Sequence, residues 1–99
     1  MADQELSAAV VTWTGWGRTT LPARDDALLV ASLGSARAIE LSPRVHALEE
    51  EFFRSNAHLT APDLPSMGEM AADEFRSAHP DVTEDAVQAL AWCYTYDYK

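Results

Sequence analysis

The chain has 99 residues, enough for one domain with a modest core, and 47% of them are apolar, which excludes an intrinsically disordered polymer. Sixteen Asp and Glu against seven Lys and Arg leave a net charge of −9. Such a surface repels nucleic acid and anionic membrane and attracts basic proteins, so neither direct nucleic-acid binding nor membrane binding is expected.

One cysteine, Cys93, can form neither an internal disulfide nor a metal framework. The opening residues MADQEL carry acids where a signal peptide has its basic region, and no apolar run reaches transmembrane length. A cytoplasmic location is the resulting expectation. The excess of Arg over Lys, with abundant Ala, matches high-GC bacterial coding.

Taken in order, the first segment has Asp3 as N-cap, then Leu6, Ala8, Ala9, Val10 and Val11. It predicts a short helix that the β-branched end at Val10, Val11 and Thr12 weakens. The next stretch, TWTGWGRTT, places Trp13, Trp16 and Arg18 among Gly15 and Gly17. Glycine at this density predicts a tight loop carrying two large rings. Two readings of that loop stay open, a lid on the core and a contact surface.

Pro22 with Asp25 and Asp26 predicts the start of a second helix, which Gly34 stops. Ser35 then caps a segment whose stripe Ala38, Leu41, Val45, Leu48 and Phe52 runs at steps of three and four. Pro43 interrupts it. An interior proline costs about 3 kcal/mol, so the expectation is one helix ending near Leu41 and another capped by Ser42. Glu50 and Arg54 are spaced for an i,i+4 pair.

Residues 55–65, SNAHLTAPDLP, have the composition of a surface connection. Ser66 and Glu69 form a capping box before an amphipathic helix marked by Met67, Met70, Ala71, Phe75 and Ala78. Thr83 caps the last helix, with Glu84 and Asp85 in its first turn and Val82 and Val87 as a hydrophobic staple. Apolar over most of its circumference, that helix is expected to run through the middle of the domain. Tyr94, Tyr96 and Tyr98 cannot all point inward, because residues two apart stand about 200° apart on a helix. The sequence therefore predicts a single all-α domain over residues 1–99, a bundle of four to five helices around a buried C-terminal helix, with a Gly/Trp loop near the N-terminus.

LVASLG (residues 29–34) and ALEEEF (residues 47–52) resemble stretches of acyl carrier proteins, which are also small, acidic and helical. The carrier's Asp-Ser-Leu attachment site is missing, since the residues after the glycine read Ser35-Ala36-Arg37-Ala38-Ile39. The resemblance thus implies no phosphopantetheine arm, and no cofactor is expected.

Three functional readings remain. The leading one is a non-catalytic acidic interaction module, a regulatory or neutralising subunit that binds a basic protein through Trp13, Trp16, Arg18, Glu49, Glu50, Glu51 and Tyr98. Asp73, Glu74, Glu84 and Asp85 would reinforce the glutamate run if they share its side. The second is a small metal-dependent or accessory enzyme using His46, Glu49 and Glu50, at i, i+3 and i+4, joined by His58 and His79 only if the fold brings them near. No second His-carboxylate motif completes that set, and neither a metal site nor a nucleophile motif is expected. The third is an acidic mimic of nucleic-acid charge.

Overall fold

Six helical segments account for most of residues 4–99, the part of the chain that the computed structural model describes. They are α1 (Gln4–Thr14), α2 (Asp26–Leu33), α3 (Ser35–Phe52), a single turn α4 (Ala57–Thr60), α5 (Leu64–Ala78) and α6 (Glu84–Tyr98). The all-α bundle follows the sequence pattern. Asp3, the expected first cap, lies outside the described residues.

α6 is the central element. It packs against α5 and α1 and touches α3. It buries Ala86, Val87, Ala89, Leu90, Ala91, Cys93 and Tyr94. Val82 packs against the core just before it, as a staple requires. Thr83 holds the N-cap position without a side-chain cap bond, and its own N–H donates to Ser7 Oγ at 3.0 Å. The α5–α6 crossing is close because Gly68 has no side chain: a Cβ there would lie 2.9 Å from Thr95 Cγ2.

α1 runs further than its β-branched residues suggest, because Leu6, Ala9, Val10 and Trp13 all bury on one face. Packing overrides propensity here. Trp13 and Thr14 therefore belong to the helix, and the loop begins at Gly15. Gly15 has φ +81°, and a Cβ on it would sit 2.4 Å from Thr19 Oγ1. Only glycine fits that turn.

The second helix begins four residues later than Pro22 predicts. Asp25 is its cap, accepting the Ala27 N–H at 2.9 Å. Residues 15–25 are instead an irregular strap tied back to α1. The Ala23 N–H donates to the Thr14 carbonyl at 2.9 Å, and the Asp25 N–H to the Trp13 carbonyl at 3.1 Å.

Pro43 does not split α3, which is continuous over Ser35–Phe52. Ala38, Leu41, Val45, Leu48 and Phe52 are all buried, while Pro43 itself is exposed. Five buried apolar side chains outweigh a cost of about 3 kcal/mol. The Ile39 carbonyl, which loses its i+4 donor, is on a wet face where that loss is small. Arg54 falls beyond the end of α3, outside the helical spacing expected for a pair with Glu50.

Residues 55–65 are more than a connection. Ser55 and Ala57 are buried, and Tyr94 anchors the segment from α6. The Tyr94 hydroxyl donates to the Ser55 carbonyl at 3.0 Å and accepts the His58 backbone N–H at 3.1 Å. The cap of α5 is Asp63, which accepts the Ser66 N–H at 2.8 Å, so Ser66 lies inside the helix. That bond holds the Asp63 carboxyl below the usual range.

Candidate functional site

The three consecutive glutamates diverge, as residues 100° apart on a helix must. Glu49 turns inward toward Arg24, with Nη1 3.7 Å from Oε2, and that oxygen has no hydrogen-bond partner. Burial pushes its carboxyl above the ordinary value. Glu50 is exposed. Glu51 pairs with His79 and, with Glu74, lines a cleft of about 190 Å³ between α3 and α5, over Phe52 and Phe75.

Two of the acids expected to reinforce that run are already committed. Arg76 binds Asp73 at 2.6 Å and Glu84 at 2.8 and 2.5 Å. The Arg76 contact, helped by Gln88, brings the Glu84 carboxyl down to about 2. Arg24 and Arg37 likewise each take two carboxylates, Asp97 with Glu49 and Glu5 with Glu40. Among the described residues, Glu50, Glu69, Glu74, Asp81 and Asp85, besides the helix caps Asp25 and Asp63, are left with no cationic partner within ion-pair distance.

The two loop tryptophans separate as well. Trp13 is 2% exposed, and its Nε1–H donates to Asp26 at 2.8 Å. It is a core side chain with a satisfied polar tip, so it cannot meet a partner without unfolding α1. Trp16 is half-buried. Its ring meets Trp92 edge-on at 5.5 Å, and both line a cleft of about 270 Å³ with Leu64 and Pro65. Arg18 is exposed on the strap. Of the three tyrosines, Tyr94 is buried and Tyr98 is 41% exposed, stacked on His58 at 4.2 Å.

The His46, Glu49 and Glu50 set does not converge. His46 Nε2 lies 3.0 Å from Asp26 Oδ1, while Glu49 faces Arg24. Among the described residues no three His, Cys, Asp or Glu side chains are grouped to hold a metal ion. Ser42 Oγ also donates to Asp26, at 3.0 Å. Ser42, Asp26 and His46 are not arranged as a catalytic triad, because the carboxylate stands between hydroxyl and imidazole and no base reaches the hydroxyl. Burial pushes the Cys93 thiol up to about 12, which leaves no reactive thiolate.

Two clusters were not legible in the sequence. Asp26, on α2, gathers Trp13 from α1 and Ser42 and His46 from α3, and these donors, His46 first, hold its carboxyl below the usual range. Arg24, at φ +49°, grips Asp97 through two bonds of 2.7 and 2.8 Å. The partners lie up to 73 positions apart, so no local spacing announces them.

No helix of the described residues is long and apolar enough to cross a membrane. No family model matches this chain, and neither a curated protein nor a solved structure matches it.

Proposed function

We propose that this protein is a non-catalytic interaction module that binds a basic protein partner, as a regulatory or neutralising subunit would. One observation carries the reading: the three arginines above each bind two carboxylates, and Glu50, Glu69, Glu74, Asp81 and Asp85 still lack a cation. An excess of like charge on a small domain repels itself, and a basic partner relieves that repulsion as it binds. Trp16 would supply apolar contact from the Trp92 cleft.

The test is capture of partners by the immobilised chain, followed by stopped-flow association with the captured protein. Association should slow as salt rises, because exposed charges are screened beyond about 10 Å at 0.1 M. Replacing Glu50 and Glu74 by Gln should slow it further with the melting temperature unchanged. Trp16→Ala should act on dissociation instead. Salt-independent association together with a destabilised Trp16→Ala domain would reduce both features to structural roles. Capture of a DNA-binding protein, released by competing duplex DNA, would favour nucleic-acid mimicry.

A further inference from the structure

The groove between α2 and α3 is built differently from the rest of the surface. α2 reads DALLVASL, apolar but for Asp26 and Ser32, yet only Leu29 of its residues is buried. Val30 is 43% exposed and Ile39, on the facing helix, 72%. These two, with Ala38, Ser42, Pro43 and Asp26, line one open groove of about 380 Å³. A lone exposed apolar side chain needs no explanation, but two helices turning apolar side chains into one groove do.

Two acceptors sit in this lining. Pro43 has no N–H, so the Ile39 carbonyl lacks its helical donor. Asp26 is fixed in place by Trp13, Ser42 and His46, which leaves part of its lone-pair capacity open. No Lys or Arg lines the groove.

The shape and chemistry select the occupant. Two helices side by side offer a furrow for the ridge of a third helix, and no row of unpaired backbone groups that an extended strand would need. A second copy of this chain would bring another net charge of −9 against a groove whose one charged lining residue is Asp26. A helix with Lys or Arg flanking its apolar stripe matches both the furrow and the acceptors. We propose that the α2–α3 groove docks an amphipathic basic helix of the partner, its apolar side on Val30 and Ile39 and a cationic side chain on Asp26 and the Ile39 carbonyl. The sign of the partner's charge rests on the reading under Proposed function; the groove and the helical form of the ligand do not.

The experiment titrates the isotope-labelled protein with three synthetic peptides: an amphipathic Leu/Lys helix, a scrambled peptide of the same composition, and an amphipathic Leu/Glu helix. The Leu/Lys helix should shift resonances of α2, α3 and the Trp13 indole N–H, whose acceptor is Asp26. Ile39→Asn should weaken it about tenfold, the loss of one buried apolar anchor. Leu59→Asn, at a side chain 73% exposed elsewhere, should leave binding unchanged. Pro43→Ala, which returns a donor to the Ile39 carbonyl, should weaken it several-fold without unfolding the domain.

Equal binding of the scrambled peptide, unaffected by Ile39→Asn, would overturn the groove while leaving the basic-partner reading standing. Equal binding of the Leu/Glu helix, with Ile39→Asn still disruptive, would keep the helix groove and overturn the basic partner. Failure of every peptide, or dimerisation abolished by Ile39→Asn, would overturn the proposed occupant.

Discussion

α6 and α2 are both mostly apolar, and they end in opposite environments. α6 is surrounded by α1, α3 and α5 and buries seven of its residues, whereas α2 packs mainly on α1 and α3 and buries Leu29. The difference lies in position and not in composition. A helix covered on several sides can use every apolar side chain, while a helix at the edge of the bundle keeps an apolar face in water. That face on α2 is what a partner can still bury.

Leu90→Ala should give the largest effect, a loss of about 2–5 kcal/mol in urea unfolding, because Leu90 is fully buried on α6. Val30→Ala on α2 should change stability by less than about 0.5 kcal/mol. Equal effects at the two sites would erase the contrast.

Tyr94→Phe should cost about 1–3 kcal/mol by the same measurement. It removes the donor to the Ser55 carbonyl and the acceptor of the His58 N–H in a buried site. Pro43→Ala should move the other way and raise stability by about 1 kcal/mol, since it restores an α3 hydrogen bond on an exposed face. A destabilised Pro43→Ala protein would mean that the proline shapes α3 and is not merely tolerated there.

The smallest effects are those of pH, and they carry opposite signs. The Glu84 carboxyl is depressed to about 2, so its pairing with Arg76 stabilises the fold above the unfolded value of 4.5 and is lost as pH falls from there through about 2. The gain is small because Glu84 is well exposed. Glu49 is raised by burial, so its ionised form disfavours folding and stability rises as pH falls through the raised value toward 4.5. In melting curves, Glu84→Gln should flatten the acid limb below 4.5, while Glu49→Gln should flatten the region just above it without lowering the neutral melting temperature.

The element types and the core were legible because helical periodicity is local. Leu41, Val45, Leu48 and Phe52 announce α3, and Val87, Leu90 and Tyr94 announce α6, through spacings of three and four that need no tertiary information. Gly34 could be read as a stop, and at φ +84° it is one.

What the tertiary structure decided was everything that depends on distant neighbours. Trp13 looks like a loop residue until Asp26 is found beneath its indole N–H, thirteen positions away. Glu49, Glu50 and Glu51 look like one acidic patch until Arg24 draws the first inward and His79 pairs with the third. Pro43 looks like a break until the buried stripe on either side of it outweighs the lost bond. Local pattern sets which segments become helices, because their hydrogen bonds close within four residues. Only packing decides which apolar face is covered and which carboxylate keeps its charge in water, because burial and Coulomb energy depend on groups that the chain brings together from far apart.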